Sequence, residues 1–115
     1  MKHTLPFGAT VIEYHPEHHQ AFLDWLARPR PYLAVDTETT GIEWGDTVRL
    51  VQFGDADTAW VLRADRDRAV IAQVLQTYRR FIAWNAAFDT AKLHALTGVG
   101  ILDRTSDTAT LAGIL

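Results

Sequence analysis

The chain has 115 residues, 48% of them apolar, with 14 acidic residues against 11 basic ones and no Cys. This length suits one domain with its own core, and the missing Cys excludes disulfide scaffolds, zinc ribbons and thiol nucleophiles. The net charge of −3 has the wrong sign for a broad basic surface that grips nucleic acid. No apolar run reaches the ~18 residues of a membrane span, and the first residues lack a secretory signal, so we expect a cytoplasmic protein without membrane contact.

The first half of the chain predicts one helix among four strands. Residues 9–14 are predicted as a strand, and residues 16–27 as a helix with one apolar face. Short apolar runs at residues 32–35, 49–53 and 58–62 predict three more strands, the last two joined by a tight turn. These last two strands should form an antiparallel hairpin.

The second half predicts helices that alternate with a strand. Asp65 is the expected N-cap of a helix, and residues 81–84 form a compact apolar strand. Residues 86–96 predict a helix closed by Gly98, and Asp107 is the expected cap of a fourth helix. A hairpin combined with crossover helices indicates an α/β fold, with a mixed sheet flanked by helices.

The first chemical motif is a pair of carboxylates in the segment YLAVDTETTG. Asp36 and Glu38 are two residues apart where a strand ends, and a period of two aims both at the same side. No Lys or Arg lies between Tyr32 and Trp44, so a divalent cation such as Mg²⁺ or Mn²⁺ is the natural counter-ion. The alternative is an ordinary polar loop after a strand.

The second motif lies in FIAWNAAFDTAKL, where Asn85 and Asp89 are four residues apart at the start of a helix. Asp89 lies near the apolar stripe of Leu93 and Leu96, and an acid in that setting usually has a partner. The alternative is an Asn85 cap with a carboxylate that interacts with the helix dipole.

Together these segments resemble the motifs of the proofreading-type (DnaQ-like) 3′→5′ exonuclease superfamily, which has four conserved acids. The likeness is greatest to the exonuclease domain of family A DNA polymerases. VDTETTG is similar to the first motif, Asp-x-Glu, and WNAAFD to the second, in which an Asn precedes a Phe/Tyr-Asp pair; here two residues separate Asn85 from Phe88. VRLVQFGDADTAWVL resembles the family's second and third strands, and SDTATLAGIL the segment after the second motif. The resemblance covers residues 32–115 of a single domain 1–115, with an additional strand and helix in residues 9–27.

The resemblance implies a ribonuclease H-like fold and removal of nucleotides from a single-stranded DNA 3′ end with two Mg²⁺ or Mn²⁺ ions. Asp36 would bridge the two metals, Glu38 would bind the metal that activates water, and Asp89 would hold the second metal. By the same resemblance, the substrate-binding residues are Thr39, Ile42, Asn85 and Phe88. Two such cations can stabilise the attacking and leaving oxygens at a phosphodiester.

The family's third motif, which supplies the fourth carboxylate, has no match after the second motif, so we expect the fold to be incomplete at the C-terminus. Three hypotheses follow: a fragment of a polymerase proofreading domain, a non-enzymatic module that binds nucleic-acid ends or a partner chain, and a split enzyme whose second chain supplies the third motif. Leu111, Ile114 and Leu115 are expected to form an apolar end that promotes self-association.

Other residues have competing interpretations. His19 and Asp24 fit a His-type third motif in permuted order, but an exposed face of an amphipathic helix also explains them. His15 and His19 have a metal-ligand spacing, although His15 precedes a proline and should lie outside the helix. Asp107 is interpreted as a cap and not as a ligand, and Trp44 is the one Trp expected to touch DNA.

Overall fold

A seven-stranded mixed sheet forms the centre of the computed structural model, which describes residues 2–4, 10–40 and 47–107. The strands and helices, in chain order, are β1 (Lys2–Thr4), β2 (Thr10–Glu13), α1 (His19–Leu26), β3 (Leu33–Thr39), β4 (Val48–Gly54), β5 (Thr58–Arg63), α2 (Arg68–Thr77), β6 (Phe81–Ala83), α3 (Ala86–Thr97) and β7 (Thr105–Asp107). Short 3₁₀ turns, Pro16–His18 and Leu102–Arg104, precede α1 and β7. The longest described helix, α3, has 12 residues, and none in these ranges could cross a membrane.

The strand order across the sheet is β1-β2-β5-β4-β3-β6-β7. Strands β3, β4 and β5 are antiparallel neighbours, whereas β3, β6 and β7 run parallel to one another. The predicted hairpin of β4 and β5 is confirmed, and the Asp55 carboxylate closes its turn by accepting the N–H groups of Asp57 and Thr58, each at 2.9 Å. The α/β class with a mixed sheet is therefore confirmed.

Two short strands and one cap differ from the sequence prediction. The three-residue strands β1 and β7 were not predicted, because a run so short has no measurable periodicity. Asp65 is not the cap of α2, since the N-cap is Asp67 and Asp65 instead pairs with Arg63 at 2.7 Å. The predicted fourth helix falls on residues 108–115, outside the described residues. Asp107 itself ends β7 and accepts the N–H of Ala86, at the start of α3.

One face of the sheet carries the core. The strand register aligns Val35 with Phe53 and Phe53 with Trp60, and all three are buried. The three α-helices of the described residues all contribute to this same cluster, through Phe22, Trp25, Ile71, Val74, Leu75, Ala86 and Leu93. The alternate residues of β3, which include Asp36 and Glu38, are exposed on the other face. The apolar pattern therefore decides which side of β3 presents its carboxylates.

Candidate functional site

Asp36 and Glu38 lie within a strand, so the interpretation of this segment as a loop is wrong. Strand β3 runs through both residues to Thr39, and both side chains are exposed. Their cross-strand partners on β4 are Gln52 and Leu50. The pairing with β4 shifts between Glu38 and Thr39, an irregularity of the kind that re-aims side chains beside functional sites. Two carboxylates with the same orientation are thus presented near the carboxyl end of β3.

Asp89 lies in the first turns of α3 and is only 4% exposed. The Thr37 hydroxyl donates a hydrogen bond of 2.6 Å to its Oδ1 atom. The expectation that this acid has a partner is therefore correct, but the partner in the described structure is a hydroxyl that the sequence analysis did not single out. The sequence does indicate this position, because Thr37 lies between Asp36 and Glu38 and must therefore face the opposite, core side of β3.

The electrostatics of Asp89 favour a cation. Burial raises the pKa of its carboxyl, the Thr37 hydrogen bond opposes that shift, and the negative charge of Asp36 raises the pKa further. Asp36 is therefore close enough for its charge to act on Asp89. A hard divalent cation would offset both the burial of the Asp89 charge and its repulsion by Asp36. Carboxylate oxygens are the ligands that Mg²⁺ and Mn²⁺ prefer. The donor chemistry thus fits such an ion.

The three predicted ligands do not form one tight group. Within residues 10–40 and 47–107, no set of three or more His, Asp or Glu side chains lies close enough to hold a metal ion. The expectation that Asp36, Glu38 and Asp89 converge within a few Å is therefore not met. The reason is strand alternation: Asp36 and Glu38 project from one face of β3, and Asp89 contacts Thr37, whose side chain belongs to the other.

Three of the four predicted substrate-binding residues, Thr39, Asn85 and Phe88, are described and lie beyond the carboxyl ends of β3 and β6 or at the last residue of β3. Asn85 is the exposed N-cap of α3, and its side chain accepts the N–H of Phe88 at 3.4 Å, so its capping role is observed. Phe88 is half-buried, and the Lys92 ammonium lies 5.4 Å from its ring centre. Thr39 is half-buried at the end of β3. Ile42 lies outside the described residues.

Trp84 was not predicted as a site residue, yet it is 69% exposed. It lies between the last residue of β6 and the Asn85 cap, beside the proposed substrate-binding residues. Trp25 and Trp60 are buried in the core, and Trp44 lies outside the described residues. An indole so exposed next to a helix start offers a flat surface for a base. The sequence feature that could have identified Trp84 is its position between the apolar strand and the capping Asn85.

The His residues near α1 have local contacts. The Tyr14 hydroxyl and the His19 Nδ1 atom are 2.7 Å apart, and Asp24 accepts a hydrogen bond from Gln20 at 2.9 Å. His15 is exposed and precedes the 3₁₀ turn, outside α1 as expected. These contacts agree with the exposed face of an amphipathic helix.

The chain is similar in sequence to phage DNA polymerases and in fold to solved exonuclease domains. It is 36% identical over 109 residues to a DNA polymerase of Mycobacterium phage L5, a match that covers 87% of this chain and 18% of that polymerase. It is 33% identical over 96 residues to a DNA polymerase of Mycobacterium phage D29, covering 77% and 16% respectively. The chain thus spans less than a fifth of the length of these relatives. No family model matches the sequence.

The fold agrees with those of solved exonuclease domains. The EXD2 exonuclease domain superposes with a TM-score of 0.69 at 16% identity, over 92% of this chain and 60% of that one. The Aedes aegypti Nibbler EXO domain gives 0.71 at 15% identity, over 97% and 59%. Crystals of the EXD2 domain have been soaked in Mn, and in Mg with GMP. The fold is therefore that of ribonuclease H-like exonuclease domains.

Proposed function

We propose that this chain, which belongs to the proofreading-type (DnaQ-like) 3′→5′ exonuclease domains found in DNA polymerases, hydrolyses phosphodiester bonds at DNA 3′ ends as part of a cytoplasmic polymerase. The observation that carries the proposal is the 2.6 Å hydrogen bond from the Thr37 hydroxyl to Asp89, which brings this buried acid of α3 against the strand that presents Asp36 and Glu38. Asp36 lies on β3, and Asp89 lies in the first turns of α3, the helix that follows β6; β3 and β6 are adjacent parallel strands. The carboxyl edge of such strands is the usual ligand position in α/β sheets.

Each acid of the site has a distinct environment. Asp36, Glu38 and Asp89, which are not grouped closely enough in the described structure to share one ion, would each supply carboxylate oxygens to Mg²⁺ or Mn²⁺. When bound, such ions supply charge stabilisation for the attacking and leaving oxygens of the phosphodiester. Thr37 fixes the Asp89 carboxylate through its hydroxyl and thereby orients one ligand in advance. Asp36 and Glu38 are exposed, so their oxygens are accessible to a strand end.

The residues around α3 are suited to the terminal nucleotide. The exposed Trp84 indole would stack on a base, a contact worth about 1–3 kcal/mol. Asn85 has an amide group that can donate to the nucleotide while its oxygen accepts from Phe88. Thr39 and Ile42, which follow the carboxylates along the chain, are proposed as further contacts.

The test is hydrolysis of a single-stranded oligodeoxynucleotide labelled at its 5′ end and resolved by length. We expect progressive shortening from the 3′ end with Mn²⁺ and none with EDTA. Asp36→Asn should reduce the rate by about 10²–10³-fold or more, the range for loss of one preorganised electrostatic group. Asp103→Asn, an exposed acid on the 3₁₀ turn before β7, is the matched control and should retain the full rate. Equal rates for the two variants would refute the assignment of the site.

A second candidate is a module that binds a nucleic-acid end without cleaving it, or that acts with a partner chain. It is favoured by the absence, among the described residues, of three acids grouped closely enough for a metal ion. Binding of the oligonucleotide without shortening in Mn²⁺ would support this candidate. Hydrolysis restored by adding a polypeptide that contains the third motif would instead indicate a split enzyme.

A further inference from the structure

An arginine-lined cleft lies at the opposite end of β3 and β6 from the carboxylates. It has a volume of about 690 Å³ and is bounded by the connection from α1 to β3 and by the connection from α2 to β6. Arg28, Arg30, Arg79 and Arg80 line it, and none of the described acidic residues does. A chain with net charge −3 thus gathers four of its 11 basic residues around one cleft. We name this site the arginine cleft.

Arg30 has a structural role in the cleft wall. Its side chain is 7% exposed and pairs with Asp55 at 3.2 Å. It also donates to the Trp25 carbonyl at 2.7 Å and to the Tyr78 hydroxyl at 3.2 Å, and it lies over the Trp25 ring at 4.4 Å. Arg30 therefore joins the two connections and is not available to a ligand.

Arg28, Arg79 and Arg80, unlike Arg30, are available to a ligand. All three are exposed, and their guanidinium groups make no hydrogen bond or ion pair with any other residue that the structure describes. The neighbouring proline residues, Pro29 and Pro31, restrict the backbone beside Arg28. Across the cleft, the Leu33 N–H donates to the Arg80 carbonyl at 3.0 Å. Three available guanidinium groups are thus held on anchored connections.

Stabilisation of helix ends does not explain these three residues. Both α1 and α2 end at the cleft, and cations are favourable near the C-terminal ends of helices. However, Arg30 already donates to the carbonyls of Trp25 and Leu26 in α1. Arg104 does the same for α2 through the carbonyls of Leu75 and Tyr78. Arg30 and Arg104 thus already supply a guanidinium group to carbonyls in the last turn of each helix, without the exposed arginine residues.

We propose that the arginine cleft is a second nucleic-acid contact, which binds the phosphate backbone of a DNA strand at a distance from the carboxylates. Guanidinium groups form bidentate hydrogen bonds with phosphate oxygens. An open cleft with three separate guanidinium groups suits an extended polyanion better than a single phosphate ion. Asp36 lies five residues beyond Pro31, about 16 Å of extended chain, so one strand of DNA can reach both sites.

In naming DNA as the ligand, this inference rests on the proposed function. The test therefore measures binding without hydrolysis, by fluorescence anisotropy of a labelled single-stranded 20-nucleotide DNA in EDTA between 50 and 300 mM salt. We compare the chain with the double variant Arg79→Gln/Arg80→Gln. The matched control is Arg49→Gln/Arg68→Gln, which removes the same charge from two exposed arginine residues that do not line the cleft.

The cleft variant should bind more weakly and lose about 1.4 from the slope of log K against log salt, because each phosphate contact to a single strand contributes about 0.7. The control pair should keep the slope, and adding Arg28→Gln should remove about 0.7 more. Equal slopes for the two double variants would overturn the inference. The same holds if micromolar inorganic phosphate displaces the DNA, or if an acidic polyglutamate peptide binds the cleft while DNA binding is independent of Arg79 and Arg80.

The two proposals fail separately. If the cleft variant loses DNA binding in EDTA but the unsubstituted chain does not shorten DNA with Mn²⁺, the proposed DNA contact at the arginine cleft is supported and the proposed hydrolytic function is wrong. If the chain shortens DNA and the cleft variant binds it normally, the proposed hydrolytic function is supported and the proposed DNA contact at the arginine cleft is wrong. Circular dichroism at increasing temperature verifies that the substituted chains are folded, as expected for exposed positions.

Discussion

The two ends of the parallel pair β3 and β6 carry opposite charge. At the carboxyl end lie exposed Asp36 and Glu38 and the buried Asp89, and at the amino end lies the arginine cleft. The acids lie in two short motif segments. The arginine residues come from two connections, and those of one connection are 49 or more residues from those of the other. The acidic site at one end of the sheet can thus be identified from sequence motifs. The arginine cleft at the other end can be identified only from the folded structure. The comparison also predicts that the two ends respond differently to substitution.

The largest effect is expected from Thr37→Val at the carboxylate end. The substitution leaves the buried Asp89 without its hydroxyl donor, which should cost about 1–3 kcal/mol of the free energy of unfolding. It should also weaken divalent-cation binding by about 10–100-fold, the usual range for loss of a residue that orients a ligand. Chemical denaturation measures the first effect, and Mn²⁺ titration of hydrolysis measures the second.

Two control variants separate these effects. Thr37→Ser retains the hydroxyl and should restore the Mn²⁺ dependence. Thr58→Val, at the start of β5, removes a strand hydroxyl far from Asp89 and should leave that dependence unchanged. If Thr37→Val lowers stability but leaves the Mn²⁺ midpoint unaltered, Thr37 has only a structural role.

A smaller effect is expected from Asp55→Asn, behind the arginine cleft. Burial alone would raise the pKa of Asp55, but the N–H groups of Asp57 and Thr58 and the charge of Arg30 hold it below its ordinary value of 3.8. A lowered folded pKa means that this carboxylate stabilises the fold at pH values above about 4, and that the contribution disappears as the pH falls through the lower folded pKa. Asp55→Asn should therefore cost about 1–2 kcal/mol at pH 7.

The pH dependence distinguishes charge from turn geometry. Between pH 5 and 3, the unsubstituted chain should lose more stability than Asp55→Asn, because the variant has no charge to lose at this position. Asn retains an oxygen that can accept the N–H groups of Asp57 and Thr58, so the hairpin turn should persist. If the thermal unfolding midpoints of the two proteins fall equally between pH 5 and 3, the ion pair of Arg30 and Asp55 does not stabilise the fold.

The smallest effect is expected from Gly98→Ala at the end of α3, the helix that carries Asp89. Gly98 has a φ of 79°, in the left-handed region, and an added Cβ would meet no atom within 4 Å. The cost is therefore one of backbone conformation alone, about 1 kcal/mol. Thermal unfolding should show this loss while the Mn²⁺ midpoint stays constant. A shifted midpoint would mean that the two ends of α3 are coupled.

Much of the architecture could be predicted from local pattern. The hairpin of β4 and β5 is marked by a turn-forming segment between two apolar runs, and α3 by a capping Asn85 and a closing Gly98. Strands of three residues could not be predicted, because β1 and β7 are defined by pairing with neighbours and not by their own sequence. The cap of α2 was misplaced by two residues because Asp65 and Asp67 are equally suitable by residue type.

The sequence by itself determined the residue types of the site and their spacing, since Asp36, Glu38, Asn85 and Asp89 stand in two short segments whose local periods can be read directly. Only the tertiary structure decided that Thr37 donates a hydrogen bond to Asp89, that Trp84 is exposed, and that four arginine residues line one cleft. The physical reason is that side-chain alternation and capping act over a few residues. Contacts between separate elements depend instead on how the apolar faces pack together.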